Sequence, residues 1–171
     1  KDCHGGGVTI NRYFWRGKHK LKTKHSQLLE QLAVLTNRKK KRAVRLTGNS
    51  KIIKTIIAAI QEKKGEHIIS LDLRKINEAV ADFFVICEAG SQPQIRAIAE
   101  NIETKVKLKC EENPYHHEGY QNLQWVLIDY VNVVVHIMLP ENRKFYKLEE
   151  MWSDGASKEH DDWSLLNVDS S

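Results

Sequence analysis

Residues 125–139 read WVLIDYVNVVVHIML and contain the strongest strand signals of the chain. This stretch contains two apolar runs, Trp125–Asp129 and residues 131–139, which are rich in β-branched and aromatic side chains and therefore predict two strands. The few residues between them leave room only for a tight hairpin turn around residues 130–132. The second run is apolar almost without interruption, which is typical of a central strand covered on both faces.

Upstream of this hairpin, the sequence predicts one helix and two further strands. The helix follows Asn49 and Ser50, either of which can accept hydrogen bonds from a first helical turn, and Gly65 suits its end. Residues 67–73 and 83–87 are short β-branched and aromatic runs, so we expect strands there. The apolar positions of the helix recur at helical spacing and are all isoleucines, namely Ile52, Ile53, Ile56, Ile57 and Ile60.

A second helix lies between the predicted strands. It starts at Ser91, with Pro93 in its first turn, where the missing N–H costs no helical hydrogen bond. The helix continues towards Cys110, and Pro114 marks its end. Residues 115–119 then suit a short edge strand.

A last helix is expected to start at Pro140 and to run through Trp152. Its spacing places Phe145, Leu148 and Trp152 on the inner face and leaves Tyr146 partly exposed. Together the predicted elements describe an α+β domain with a mixed, about five-stranded sheet and helices packed on it.

The chain therefore divides into three segments. Residues 49–155 are expected to form the α+β domain, and residues 156–171 to form a polar, disordered tail rich in Ser and Asp. Residues 1–48 form a basic arm without sustained periodicity, which is expected to be mostly disordered. The first residue is Lys1 rather than Met, so we leave open whether this arm belongs to the native product.

Positive charge is confined to the arm. Up to residue 50 the chain has thirteen Lys and Arg against two Asp and Glu, a charge of +11, whereas the remainder carries −6, for a net charge of +5. A domain that binds nucleic acid by itself usually carries its own positive excess. A protein partner is therefore expected for the domain, and any RNA contact is expected to be secondary and to involve the arm.

The compartment follows from what the sequence does not contain. No apolar run approaches the roughly eighteen residues of a membrane span, so no membrane partner is expected. Cys3, Cys87 and Cys110 are widely spaced and are expected to be reduced thiols, with Cys87 buried. We expect a cytoplasmic protein, with mitochondrion or chloroplast as the alternative, because the basic arm would also suit a transit sequence.

Three stretches of the domain resemble the ribosomal silencing factor family, also called iojap. The first is DFFVIC at residues 82–87, followed by Ser91 at the start of a helix. The second is Glu118-Gly119, leading into WVLIDY at residues 125–130. The third is VVVHIM at residues 133–138, followed by Arg143, Tyr146, Leu148, Glu149 and Trp152. Their order and spacing cover about residues 50–155.

The resemblance implies a nucleotidyltransferase-like fold without the catalytic carboxylates, and binding instead of catalysis. Family members attach to the large ribosomal subunit through its ribosomal protein fourteen and block joining of the small subunit, which represses translation. The resemblance implies the same partner here and leaves open a homodimer of the free chain. It places the partner-binding residues on the hairpin and its neighbours: Trp125, Asp129, Tyr130, His136, Arg143 and Tyr146.

Several of these residues also have a structural explanation. Trp125 at the start of a strand suits the core, and Asp129 can cap the hairpin turn with its side chain. A lone histidine in an apolar run, such as His136, is commonly a hydrogen-bonded core residue. Arg143 can pair with a carboxylate of the last helix. Tyr130, at the turn, is expected to be exposed.

An enzyme is the main competing hypothesis. Gly90-Ser91 imitates the strand-to-helix turn of a nucleotidyltransferase, but two-metal phosphoryl transfer needs convergent carboxylates. Asp129 has Val131, not an acid, two residues further on. We therefore expect no catalytic residue and no cofactor.

Two other functions are considered. The His116-His117-Glu118 sequence invites a metal site, but successive side chains of an extended segment point to opposite faces, so no metal is expected. An RNA-binding module acting through the basic arm is the remaining alternative, and it predicts a steep dependence of binding on salt.

Overall fold

A computed structural model describes residues 47–160 with the exception of 49 and 78, so the predictions for the arm up to residue 46 and for residues 161–171 lie outside the described residues. Within them, the helices are α1 (Lys51–Glu62), α2 (Gln92–Cys110), α3 (Pro140–Tyr146) and α4 (Leu148–Met151). The strands are β1 (Glu66–Asp72), β2 (Phe83–Glu88), β3 (His116–Glu118), β4 (Trp125–Asp129), β5 (Val133–Met138) and β6 (Ala156–Glu159). The predicted α+β class with a mixed sheet is confirmed.

The strands form one sheet in the order β3-β4-β5-β2-β1-β6. β5 pairs antiparallel with β4, as the hairpin prediction requires, and parallel with β2, where Phe83 lies opposite Val133. Every residue of β5 is buried. The central position predicted for this strand is therefore confirmed, and both faces of the sheet must be covered.

Helices α1 and α2 cover the first face of the sheet. The isoleucines of α1 pack on Val85 and Cys87 of β2 and on Val135 of β5 in one continuous cluster. Ser50 precedes α1 as predicted, but its hydroxyl accepts a 2.8 Å hydrogen bond from the Thr47 N–H and caps no N–H of the helix. The first turn of α1 is therefore left without a side-chain cap from Ser50.

Helix α2 lies antiparallel to α1 and is capped as the sequence predicts. Ser91 precedes it, and the Ser91 hydroxyl accepts a 3.4 Å hydrogen bond from the Gln94 N–H. Asn101 joins the two helices, since its amide donates 2.9 Å to the Ala59 carbonyl. In the part of the chain that the structure describes, no helix is both long and apolar enough to cross a bilayer.

Short elements cover the second face, and here the predicted last helix is wrong in its extent. Lys147 adopts a left-handed φ of 48° between α3 and α4, so the single helix from Pro140 to Trp152 is broken in two. Tyr146 joins Asn142 and Arg143 on the buried face of α3, and Leu148 is buried on α4, whereas Phe145 is 58% exposed. The expected inner position of Phe145 and the expected exposure of Tyr146 are therefore both wrong.

Strand β6 corrects the prediction of a disordered tail that begins at residue 156. Residues 156–159 read ASKE, and all four are exposed, so they carry no hydrophobic pattern. They pair antiparallel with β1 through backbone hydrogen bonds, which depend little on side-chain type. His160 extends the contact, because its N–H donates 2.8 Å to the Ile68 carbonyl and its carbonyl accepts 2.9 Å from the Gln61 amide.

We predict that residues 156–160 contribute to the stability of the domain. The free energy of unfolding should be about 2–4 kcal/mol lower for a chain ending at Gly155 than for a chain ending at His160. The shorter chain loses the pairing with β1 and the His160 hydrogen bonds. Urea denaturation of the two truncated chains measures the difference. Equal stability of both chains would contradict the assignment of β6 to the fold.

Candidate binding surface

Five aromatic side chains lie together on the second face of the sheet, beneath α3 and α4. We call them the aromatic layer: Phe84, Trp125, His136, Tyr146 and Trp152. The ring centroids of Trp125 and Tyr146 are 5.0 Å apart, and those of Phe84 and His136 are 4.8 Å apart. Trp152 meets Phe84 edge-on at 5.7 Å. These are the separations at which aromatic pairs attract one another beyond simple burial.

A buried hydrogen bond orders the centre of this layer. The Trp125 indole N–H donates 3.2 Å to Nδ1 of His136. Because Nδ1 accepts, the proton of the neutral imidazole resides on Nε2. Complete burial lowers the pKa of His136 to about 3, so the ring is neutral at physiological pH. His136 therefore serves this layer as a hydrogen-bond acceptor and not as a charge.

Three polar atoms of the layer have no partner within the described residues. They are Nε2 of His136, the hydroxyl of Tyr146 and the indole nitrogen of Trp152. An unpaired buried donor costs about 1–3 kcal/mol, so they oppose folding. The attachment of α3 and α4 to this face therefore depends on packing and on the hydrogen bonds of the Arg143 guanidinium.

Arg143 fastens α3 to three other elements. Its Nε donates 2.6 Å to the Glu149 carboxylate on α4, and its Nη1 donates 2.6 Å to the His67 carbonyl on β1. Nη1 also lies 3.5 Å from the Glu88 carboxylate at the end of β2. Arg143 is only 8% exposed, so the pairing predicted with the last helix is buried and not superficial.

Two large apolar side chains are exposed on the outer surface above the aromatic layer. Phe145 on α3 is 58% exposed and Met151 on α4 is 50% exposed. The Phe145 ring stands edge-on against Tyr146, with centroids 5.0 Å apart. We call Phe145 and Met151 the apolar patch. Lys144, Lys147 and Glu150 are exposed on the same two helices, so the patch is accompanied by charges of both signs.

Asp129 and Tyr130 lie at the hairpin turn. The Asp129 carboxylate accepts a 2.6 Å hydrogen bond from the Val131 N–H, which is the turn-capping role weighed for this residue. Val131 has a φ of 73°, an unusual value for a β-branched residue, so the turn needs such support. Tyr130 is only 5% exposed and packs in the cluster under α1 and α2, so its expected exposure is wrong.

The six residues expected to bind a partner are therefore distributed over both faces. Trp125, His136 and Tyr146 belong to the aromatic layer, and Arg143 fastens α3 beside it. Asp129 caps the turn at the end of β4, and Tyr130 packs on the opposite face of the sheet, which α1 and α2 cover. All six are at most 8% exposed. The exposed Phe145 and Met151 were missed, because a single helix from Pro140 to Trp152 places Phe145 on one face with Leu148 and Trp152, whereas α3 buries Asn142, Arg143 and Tyr146.

The residues on which the enzyme hypothesis depends have structural roles in the fold. Ser91 caps α2, and Asp129 caps the hairpin turn, so these side chains have structural partners. His116 lies 2.8 Å from Glu118, whereas His117 bonds to Glu103 on α2 at 3.0 Å. The prediction that the two histidines do not converge is confirmed. In residues 50–77 and 79–160 no group of three metal-binding side chains is placed to hold an ion.

The fold and this surface define the class of the chain as a small α+β domain with a mixed six-stranded sheet and an exposed apolar patch over aromatic packing. Its family follows from comparison with known proteins. Residues 47–170 match the model of the family described as "ribosomal silencing factor during starvation", and the chain belongs to this family.

Similar proteins come from bacteria and from an organelle. A ribosomal silencing factor of Halalkalibacterium halodurans is 35% identical over 112 residues, which are 66% of this chain and 94% of that protein. The "mitochondrial assembly of ribosomal large subunit protein 1" of Mus musculus is 36% identical over 74 residues, covering 42% of this chain and 32% of that protein. A crystal structure of a Chromobacterium violaceum protein superposes with a TM-score of 0.57 at 33% identity, covering 60% of this chain and 84% of that one.

We predict that His136 makes stability depend on pH. Its pKa is about 3 in the fold and about 6.5 in the unfolded chain. The stabilisation is complete above pH 6.5 and is lost as the pH falls towards 3, because only the unfolded chain takes up the proton. The contribution is about 1.4 kcal/mol per pH unit. Urea denaturation over this range should give a flatter pH profile for His136→Leu than for the unmodified chain.

Trp125→Phe is the matched control for this measurement. It removes the donor to Nδ1 of His136 but retains the titrating ring. Its stability should fall by about 1–2 kcal/mol at every pH, with the pH slope retained. If His136→Leu and the unmodified chain show parallel profiles, His136 is not the group responsible.

Proposed function

We propose that this chain binds the large ribosomal subunit through the ribosomal protein fourteen of that subunit and blocks joining of the small subunit, thereby repressing translation. The observation that carries the proposal is the match of residues 47–170 to the silencing-factor family. The name of the mouse relative, which refers to assembly of the large subunit, supports the same partner.

In this proposal the apolar patch provides the contact. Aromatic side chains dominate binding energy at protein interfaces, and large exposed apolar side chains mark such sites. Phe145 is the exposed aromatic residue of α3 and rests on the buried ring of Tyr146. The charged neighbours on α3 and α4 would form the polar rim that surrounds a binding centre.

The six residues expected from the sequence act in this proposal from below the surface. Tyr146, Trp125 and His136 form a packed column under Phe145, and Arg143 fixes α3 relative to β1 and β2. Asp129 and Tyr130 hold the hairpin that carries this column. Replacing any of them would weaken binding by moving Phe145, not by removing a direct contact.

The cellular location follows the relatives. Bacterial silencing factors favour a cytoplasmic, ribosome-associated protein, and the mitochondrial relative supports the organellar alternative.

The proposal also includes the absence of catalysis. The family is described as a silencing factor and not as an enzyme. The carboxylates of Asp129 and Glu103 have partners in turn capping and in hydrogen bonds to His117 and Tyr120. Two-metal chemistry requires carboxylates that converge on the ions, and these side chains are otherwise engaged.

We predict no nucleotidyl transfer by the purified chain. Incubation with each nucleoside triphosphate and Mg²⁺ should yield no more pyrophosphate than a heat-denatured sample. Nucleotidyl transfer that disappears on Ser91→Ala and Asp129→Asn substitution would instead show that the chain is an enzyme.

We predict that Phe145→Ala weakens association with the large subunit. The loss should be about tenfold or more, because an exposed aromatic anchor is removed while the fold retains its core. Co-sedimentation with purified large and small subunits measures the association, and only the large subunit should retain the chain.

Leu108→Ala is the matched control, since Leu108 is 74% exposed but lies on α2. It should co-sediment like the unmodified chain. An equal loss of association for both variants would show that the apolar patch is not the contact surface.

A chain without residues 1–48 should still associate with the large subunit, whereas failure to do so would favour RNA binding through the arm.

A further inference from the structure

A groove lies between the first half of α1 and the end of α2. Its volume is about 500 Å³, and its lining residues are Lys51, Lys54, Thr55, Ala58 and Lys109. Three of the five side chains are basic, and none is acidic. The antiparallel packing of the helices brings the three lysines together, since Cys110 at the end of α2 contacts Thr55 on α1 at 3.7 Å.

The three ammonium groups are not used for folding. Lys51, Lys54 and Lys109 form no ion pair within the described residues, whereas Lys105, further along α2, lies 3.0 Å from the Glu62 carboxylate. A lysine in the last turn of a helix is favoured by the helix dipole, which accounts for Lys109. The dipole opposes Lys51 and Lys54 at the start of α1, whose first turn contains no acid.

The groove also adjoins the basic arm along the chain. Arg45 stands six residues before Lys51, and residues 38–42 read RKKKR. The arm of charge +11 therefore leads directly into α1, although the chain from residue 51 onwards carries −6. Within an otherwise acidic domain, the groove continues the one strongly positive segment of the sequence.

We infer that this groove binds the phosphate backbone of RNA. Lysine binds phosphate as a point charge on a flexible stem, so three lysines around a groove can follow a backbone without reading bases. Binding to a bilayer would need apolar side chains that insert beside the charges. Leu108 is the single large apolar side chain exposed on α2 in the described residues, which favours RNA.

The inference goes beyond the proposed function and stands without it. The groove lies on the layer of α1 and α2, whereas the apolar patch lies on α3 and α4 over the other face of the sheet. Binding of free RNA involves no ribosomal protein. Failure of one site would therefore leave the other unaffected.

The test compares two triple variants of the full chain with the same change of charge. The groove variant is Lys51→Gln, Lys54→Gln and Lys109→Gln. The control variant replaces three exposed lysines outside both proposed surfaces, Lys63→Gln, Lys75→Gln and Lys158→Gln. Fluorescence anisotropy with a labelled single-stranded RNA, repeated over a salt series, gives the affinity and its salt dependence.

The groove variant should bind RNA at least about tenfold more weakly at low salt than the control variant. The slope of log affinity against log salt should become less steep by about two units, because three phosphate contacts are lost. In the unmodified chain, RNA should protect Lys51, Lys54 and Lys109 from acetylation more than Lys63, Lys75 and Lys158. This footprint needs no substitution and tests the site even if a variant folds poorly.

Two results would overturn the inference. Equal losses in both variants, with no selective protection of the groove lysines, would assign RNA binding to the net charge of the arm. Groove-dependent binding to vesicles of anionic phospholipid, without groove-dependent binding to RNA, would assign the groove to a membrane surface.

Discussion

β2 and β5 pair in parallel at the centre of the sheet, with Phe83 to Glu88 opposite Val133 to Met138. Five of the six residues of β2 and all six of β5 are buried, so both faces of the central sheet must be covered. Parallel strands have this requirement in general, because neither face can be left in water. α1 and α2 satisfy it on one face with aliphatic packing. The other face is covered by two short helices and a loop, and there Tyr146 and Trp152 pack on the strand residues Trp125 and Phe84.

The chemistry of His136 follows from this arrangement. It lies in the central strand with its side chain on the aromatic face, where water does not reach it. Desolvation disfavours the imidazolium, so the ring stays neutral and its Nδ1 accepts the hydrogen bond from the Trp125 N–H. Trp125 and His136 therefore support α3 from below through the ring of Tyr146. The exposed Phe145 then owes its position to residues that do not themselves reach the surface.

The sequence predicted those elements whose side-chain pattern reflects burial. The β4–β5 hairpin and α2 were located correctly, because apolar runs and a capping Ser91 are visible in one dimension. β6 was missed, since its pairing with β1 uses only the backbone. The break at Lys147 was also missed, because a left-handed lysine has no sequence signature. The break separates Phe145 from Leu148 and Trp152, with which an unbroken helix would align it, and the buried face of α3 is formed instead by Asn142, Arg143 and Tyr146.

The two layers carry surfaces of different character, and this separates their contributions to binding. The apolar patch depends on contact area and is expected to respond little to ionic strength. RNA binding at the lysine groove would depend on charge, so its affinity should fall steeply as the salt concentration rises. A large ribosomal subunit presents both protein and RNA, so a chain that contacts each with a different face would gain from linking them. The charge division in the sequence fits the inferred RNA contact, because Lys51 and Lys54 follow closely on the basic arm in the sequence, whereas the chain from residue 51 onwards carries −6.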